Sequence, residues 1–178
     1  PLEGLDIIGN DGAMEYPNIV EVSSSPAVFE DTLVHEIAHQ WFYYLVANDP
    51  YENAWLDESL AEWVAAMYRS EQGQTNAFGF SKSLAASNAT SPIVNLSLPD
   101  FEEGEYYSTV YGKAPLLLQD YFEEADGEPQ AFDFLSKYVE QFRFQSVDSE
   151  EFAAFFEEQL EGDQQEFLES WLQLNEQQ

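Results

Sequence analysis

Two histidines and a glutamate stand at a spacing that suits a single metal ion. His35 and His39 are four residues apart, with Glu36 directly after the first. Side chains at i and i+4 share one face of a helix, so both imidazoles can reach the same ion. Zinc in a catalytic site takes three protein ligands and keeps a position for water, for which Glu36 can act as general base. Eighteen residues separate His39 from Glu58, the candidate third ligand.

Two helices must hold these residues. Apolar positions at helical spacing predict a first helix over residues 25–46, with Ser25 as its cap. A second helix is predicted over Asn53–Glu71, and its apolar stripe makes it a core-facing element that carries Glu58. We therefore expect the metal site between these two helices. Ahead of them, Leu5–Ile8 and Ile19–Val22 are typical of short strands joined by a turn.

The rest of the chain is predicted to be mainly helical. Pro115 is tolerated only in a first turn, so one helix should begin near Gly112. Further helices are predicted at Phe78–Ser87, from Pro129 to Phe142, and after the capping boxes Asp148-x-x-Glu151 and Asp163-x-x-Glu166. The predicted fold class is mainly α (α+β), with about seven helices and a small antiparallel β-sheet at the N-terminus.

Composition limits the kinds of protein this can be. A chain of 178 residues predicts one domain, long enough to form a core without disulfides. The absence of cysteine excludes cysteine-ligated zinc and cysteine nucleophiles. No apolar run approaches the roughly 20 residues of a membrane span. A hydrophobic content of 44% and an aromatic content of 16% argue against disorder despite the high charge.

The acidic excess is extreme. Asp and Glu number 35 against five Lys and Arg, for a formal charge of −30. Nucleic acids and anionic membranes are therefore expected to be poor partners, and the protein is expected to be a monomer. Such a surface favours adaptation to high salt or to an alkaline exterior, and thus an extracellular or cell-surface location. Deliberate engineering would leave the same composition.

Three motifs together resemble one known family. The pattern His35-Glu36-x-x-His39 with Glu58 after 18 residues is similar to the zinc signature of gluzincins of the aminopeptidase N and leukotriene A4 hydrolase family. The segment 12–15, Gly-Ala-Met-Glu, resembles the exopeptidase motif of that family, with Tyr16 in place of the usual Asn. The segment 111–114, Tyr-Gly-Lys-Ala, resembles its Tyr-x-Lys-Gly segment. The motifs follow the family's order, and the likeness runs over essentially the whole chain.

This resemblance implies a thermolysin-like lobe that binds one Zn²⁺ through His35, His39 and Glu58 and acts on peptides. It implies that Tyr111 stabilises the oxyanion that forms at the attacked carbonyl, although Tyr106 and Tyr107 lie close in sequence. Asp57 and Asp31 are candidates to orient the metal-binding histidines, and Lys113 is assigned no task.

Glu15 is the candidate residue for recognition of a substrate's free N-terminus. A carboxylate near the metal can bind an α-ammonium group by a charge-assisted hydrogen bond and penalise a blocked substrate. The backbone of Gly12, Ala13 and Met14 can pair with an extended peptide as an added strand. The expected function is therefore zinc-dependent release of N-terminal residues from peptides.

Two alternatives to an aminopeptidase stay open. Members of the resembled family carry a large β-rich domain before the catalytic one, so residues 1–178 are expected to be a single catalytic domain truncated on its N-terminal side. A site opened in this way could act as an endopeptidase. The chain could also be a folded zinc-binding fragment with little catalysis and an acidic, salt-adapted surface.

Overall fold

Helices dominate the fold, and a small sheet lies at its N-terminal end. The computed structural model describes residues 4–124, 127–160 and 162–174. The strands are β1 (Asp6–Asn10), β2 (Met14–Tyr16) and β3 (Ile19–Ser23). The helices are α1 (Phe29–Ala38), α2 (Trp55–Glu71), α3 (Gly79–Ser87), α4 (Glu105–Tyr107), α5 (Ala114–Glu124), α6 (Glu128–Phe142), α7 (Ser149–Gln159) and α8 (Gln165–Glu169). A 3₁₀ turn covers Leu98–Asp100, and a π-helical segment, Ser108–Lys113, joins α4 to α5 without a break.

The predicted mainly α class is confirmed, with seven separate helical segments in the described ranges when α4 to α5 is taken as one.

The antiparallel prediction for the sheet is right for one pair of strands and wrong for the other. Strand β3 lies in the centre, antiparallel to β2 and parallel to β1. The physical reason is that β2, within the segment resembling the exopeptidase motif, is itself a strand. The chain therefore reverses twice between β1 and β3, which leaves those two strands parallel.

Helix α1 is shorter than the sequence predicts at both ends. Ser25 and Val28 form a turn ahead of the helix, in which the Val28 N–H donates to the Ser25 carbonyl at 3.1 Å. At the other end Tyr43 has a φ of 116°, a left-handed conformation that no helix can contain. The chain therefore folds back, and Phe42 forms a bridge with Val46. This fold-back follows His39, which keeps helical dihedral angles as the C-cap of α1.

Helix α2 is the central element of the core. Twelve of its 17 residues are buried. The indole of Trp55 donates to Ser149 Oγ at 2.9 Å, and that of Trp63 donates to Gln119 Oε1 at 2.9 Å. Phe152 of α7 packs edge-on against Trp55, and Phe122 of α5 stacks on Trp63. Phe134 of α6 packs in turn against both of these phenylalanine rings. Because each such ring buries about 150–250 Å², this packing fixes the helix that carries Glu58.

The stretch from α4 to α5 begins seven residues before the predicted start at Gly112. Pro115 lacks an N–H, and its ring would clash with a carbonyl one turn earlier in a regular α-helix. The structure accommodates Pro115 by widening the preceding turns into the π segment, where the Ala114 N–H donates to the Thr109 carbonyl. The helix therefore starts at Glu105 and passes through Pro115.

The two predicted capping boxes differ in outcome. Asp148 and Glu151 form the complete reciprocal box at the start of α7. At α8 the cap is Gln164, and Asp163 accepts a hydrogen bond from the Gln165 N–H at 3.1 Å, so that prediction is wrong by one residue.

Among the helices that the structure describes, none is long and apolar enough to cross a membrane.

Candidate metal centre

Three side-chain atoms from α1 and α2 converge on one point. The Nε2 atoms of His35 and His39 are 3.1 Å apart, and Glu58 Oε2 lies 3.2 Å from the first and 3.3 Å from the second. Both imidazoles are buried, and the carboxylate is mostly buried. His35 is in the last turn of α1, His39 caps that helix, and Glu58 is in the first turn of α2.

These separations fit a tetrahedral zinc ion. With metal–ligand bonds of about 2.0–2.1 Å, adjacent ligand atoms of a tetrahedron lie about 3.3 Å apart, close to the distances between the three groups. The donor set of two imidazoles and one carboxylate leaves a fourth position open, as in catalytic zinc sites. His35, His39 and Glu58 are therefore suited to hold the zinc ion that the sequence predicts.

The shifted pKa values of His35 and Glu58 reflect strong interactions among the three groups. Burial lowers the pKa of His35, but hydrogen bonds to Glu58 and Glu62 outweigh this and raise it to about 10. Burial raises the pKa of Glu58, yet the two histidines hold it well below its usual range. The carboxylate is thus ionised at neutral pH, as a metal ligand must be.

The remaining ring nitrogens are held by groups other than those predicted. His39 Nδ1 lies 3.1 Å from the Phe42 carbonyl, which the fold-back after α1 brings into place. His35 Nδ1 lies 3.3 Å from Glu62 Oε2. Asp57 instead accepts from Asn48 at 3.0 Å, and Asp31 accepts from Arg69 at 3.4 Å. The prediction that Asp57 and Asp31 orient the histidines is therefore wrong.

Glu36 has the properties that a general base requires. Its side chain is 5% exposed, and within the part of the chain that the structure describes no hydrogen-bond partner reaches its Oε2 atom. Burial raises the pKa of Glu36 to about 7, while His35 and His39 act in the opposite direction. A carboxylate with an unpartnered oxygen and a pKa near neutrality can accept a proton and release it again.

Tyr111 lies against the metal-binding face. Its ring stacks on His35 with centroids 5.8 Å apart, and it belongs to the π segment. Burial and the Glu58 carboxylate raise the pKa of Tyr111 far above its usual range, so the phenol keeps its proton and remains a donor. Tyr106 packs edge-on against Tyr111 at 5.9 Å, whereas Tyr107 is mostly exposed.

The segment that resembles the exopeptidase motif lies beside the metal-binding residues. Oxygen atoms of Glu15 and Glu36 and a ring nitrogen of His39 lie within 4.8 Å of one another. Strand β2, which contains Met14 and Glu15, is an edge strand, so one side of its backbone is free of sheet partners in the described structure. Such an edge can accept an extended peptide.

Gln40, buried next to His39, ties this strand to α1. Its Nε2 donates to the Tyr16 carbonyl at 3.0 Å, and its Oε1 accepts from the Asn18 N–H at 2.9 Å. The turn between β2 and β3 is thereby fixed to the end of the metal-binding helix.

A cleft of about 620 Å³ connects these groups. Ala13, Met14 and Glu15 line it, whereas Gly12 is outside the lining. The rest of its wall combines the metal-site residues with a tyrosine cluster and the outer part of α1: Val28, Asp31, Thr32, His35, Glu36, Glu58, Glu62, Arg69, Phe80, Tyr106, Tyr107 and Tyr111. The volume lies within the range of about 300–1,000 Å³ that is usual for small-molecule and cofactor sites.

Glu62 and Ser59 support the site, and sequence reasoning did not single them out. Glu62 is four residues after Glu58 on α2, so helical periodicity could have placed it on the same face. Ser59 donates to the Val110 carbonyl at 2.7 Å, next to Tyr111. No sequence pattern could have indicated that contact, because it depends on the π segment.

Known proteins are similar in sequence to most of this chain. A leukotriene A-4 hydrolase from Xenopus laevis is 32% identical over 160 residues, which cover 81% of this chain and 26% of that protein. An aminopeptidase B from Rattus norvegicus is 27% identical over 163 residues, which cover 82% of this chain and 25% of that protein. The chain thus spans about a quarter of the length of these relatives.

Solved structures share the fold. An M1 zinc metallopeptidase from Deinococcus radiodurans aligns with 94% of this chain and 38% of its own, with a TM-score of 0.73 and 20% identity. Native leukotriene A4 hydrolase from Saccharomyces cerevisiae aligns with 93% of this chain and 30% of its own, with a TM-score of 0.70 and 22% identity. Residues 7–171 match the sequence model of the Peptidase family M1 domain, and the chain therefore belongs to peptidase family M1.

Proposed function

We propose that this chain is a zinc-dependent peptidase domain that releases N-terminal residues from peptides and holds one zinc ion. The observation that carries the proposal is the convergence of His35, His39 and Glu58 beside Glu36, whose Oε2 atom has no hydrogen-bond partner among the described residues. Membership of family M1 supports the same reaction class.

Each protein group has a role in the proposed reaction. Zinc bound at this site would supply a Lewis acid and lower the pKa of its water to about 7. Glu36 accepts a proton from the attacking water and passes it to the leaving amine. Tyr111 donates a hydrogen bond to the carbonyl oxygen as that oxygen gains negative charge.

We further propose that Glu15 binds the α-ammonium group of the substrate. It lies on the edge strand that lines the cleft, close to Glu36. An ammonium paired with this carboxylate places the first peptide bond at the metal site. Peptides would therefore be the partners of a monomeric chain, and the charge of −30 disfavours nucleic acid.

The test of the proposed mechanism is Glu36→Gln, which keeps the shape of the side chain but removes its basicity. We expect turnover of an aminoacyl-amide substrate to fall by roughly 10²–10⁴, the usual contribution of general acid–base catalysis. Zinc content, measured by elemental analysis, should be unchanged, because Glu36 is not among the three converging ligands. The matched control is Glu30→Gln, an exposed glutamate on the same helix, which should keep full activity.

Each other result leads to a different conclusion. Undiminished turnover in Glu36→Gln would contradict the mechanism. Equal cleavage of free and N-blocked peptides by the unmodified chain would indicate an endopeptidase. Stoichiometric zinc without turnover would indicate a metal-binding fragment.

A further inference from the structure

Arg69 is a buried cation next to the metal-binding residues. The chain has only five Lys and Arg in total, and this one is 3% exposed. Its guanidinium donates to Glu62 Oε1 at 2.7 Å, to the Ala77 carbonyl at 3.2 Å and to Asp31 Oδ1 at 3.4 Å. A buried ion pair is weak evidence for stability, because apolar side chains would often serve as well. Its partner Glu62 also lies 3.3 Å from a ring nitrogen of His35, which connects Arg69 to the metal-binding residues.

The contacts of Arg69 lead directly to a metal-binding residue. Arg69 holds one oxygen of Glu62, and the other oxygen of that carboxylate lies 3.3 Å from His35 Nδ1. The guanidinium holds the first oxygen, which Ser81 Oγ also approaches to 3.5 Å, and this arrangement leaves the second oxygen directed at the imidazole. A His35 that donates from Nδ1 to this oxygen presents the lone pair of Nε2 to a metal.

The same guanidinium joins the two helices that supply the ligands. Glu58, Glu62 and Arg69 stand at positions i, i+4 and i+11 of α2, so they share one face. Asp31 stands one turn before His35 on α1. Through Asp31 and Glu62, Arg69 therefore joins α1 to α2 one turn away from the metal-binding residues.

We propose that Arg69 is a positioning residue for the metal site, which acts through Glu62 to fix the orientation of the His35 ring. The inference rests on the proposed zinc site and adds that the zinc affinity of that site depends on Arg69. Because Arg69 and Glu62 are buried, this link is protected from the salt screening that acts on the acidic surface.

The experiment measures zinc affinity by competition with a chromophoric chelator. The variants are Arg69→Met, Glu62→Gln and the double variant. Loss of a group that orients a metal-binding histidine typically weakens binding about 10–100-fold, and we expect each single variant to do so. Because Arg69 acts through Glu62, the double variant should bind little more weakly than the worse single variant. The matched control is Lys137→Met, which removes an exposed cation paired with Asp133 at 2.8 Å and should not change the affinity.

A spectroscopic measurement separates positioning from general destabilisation. The d–d absorption of bound Co²⁺ reports ligand geometry, and we expect it to change in Glu62→Gln and Arg69→Met but not in Lys137→Met. If Arg69→Met does not fold, Arg69→Lys takes its place, since one ammonium group cannot reproduce the geometry of the guanidinium contacts. It should show the same weakening with unchanged far-UV circular dichroism.

Two results would overturn the inference while zinc binding by the unmodified chain stands. One is unchanged affinity in a folded Arg69 variant. The other is a double variant in which the two losses multiply, since that would make Arg69 and Glu62 independent. Failure of the unmodified chain to bind zinc would instead overturn the proposed function itself.

Discussion

At the residue scale, Glu15 is the group expected to separate an aminopeptidase from a general peptidase. A hydrogen bond to a charged group contributes about 1.5–3 kcal/mol, so Glu15→Gln should lower kcat/KM for a free N-terminus by roughly ten- to a hundredfold. Cleavage of an N-acetylated peptide should change little, because that substrate makes no such pair. The measurement is kcat/KM for one peptide in both forms.

The control for this comparison is Glu21→Gln. Glu21 pairs with Met14 in the sheet but is outside the cleft lining, and its removal should affect neither substrate. An equal loss of kcat/KM for the free and the acetylated peptide in Glu15→Gln would show that Glu15 supports the site but does not bind the α-ammonium group.

The sequence predicted the converging residues better than it predicted their supports. His35 and His39 could be found from helical periodicity, and Glu58 from its spacing in the resembled zinc signature together with the apolar stripe of its helix. The carbonyl that contacts His39 could not be found, since it depends on the left-handed conformation of Tyr43. Helical periodicity contains no information about a fold-back of that kind.

At the element scale, the π segment links Pro115 to the position of Tyr111. In an α-helix the Val110 carbonyl would accept from Ala114, and in a π-helix from Pro115. The N–H of Ala114 is bonded to Thr109, and proline has none. Ser59 of α2 donates to the Val110 carbonyl instead, at 2.7 Å. The turn that carries Tyr111 is thereby attached to the residue that follows Glu58.

Removal of this hydroxyl should affect turnover more than metal binding. Ser59→Ala leaves a buried carbonyl unsatisfied, at a cost of about 1–3 kcal/mol in the free energy of unfolding. We expect kcat to fall several-fold as Tyr111 loses its fixed position, with zinc affinity unchanged. Ser108→Ala is the matched comparison, because Ser108 lies in the same segment but donates to the Ala89 carbonyl at 2.8 Å, away from α2. The measurements are kcat for each variant and the stability of each by thermal denaturation. Equal kcat values for the two variants would contradict this link.

The sequence predicted the elements that neighbouring residues determine, and it failed for those that depend on contacts with distant parts of the chain. The capping box at Asp148 was predictable because two residues three positions apart, Asp148 and Glu151, determine it. The parallel pairing of β1 with β3 was not, because it depends on a three-residue strand inside a motif that resembles a substrate-binding segment. The early start of the α4–α5 stretch also escaped prediction, because the accommodation of Pro115 requires contacts with α2.

At the scale of the whole molecule, a charge of −30 surrounds an aromatic core. Two like charges 10 Å apart in water repel by about 0.4 kcal/mol, and many such pairs act together on this surface. The screening length falls from about 10 Å at 0.1 M salt to about 3 Å at 1 M. Most of this repulsion is therefore removed by molar salt, whereas the buried packing of α2, α5, α6 and α7 is not weakened.

Stability should consequently rise with salt. We expect the urea midpoint of unfolding to increase by roughly 1 M between 0.1 M and 2 M NaCl, because a gain of a few kcal/mol is divided by a slope of about 1–3 kcal/mol per molar. A variant with Glu140, Glu157 and Glu158, all exposed, changed to Gln should start with a higher midpoint at low salt and gain less from added NaCl. A general salting-out effect would instead raise both midpoints equally. A midpoint that stays flat or falls with salt would show that charge repulsion is not the main factor that lowers the stability of this fold. It would also contradict the hypothesis that the surface is adapted to high salt.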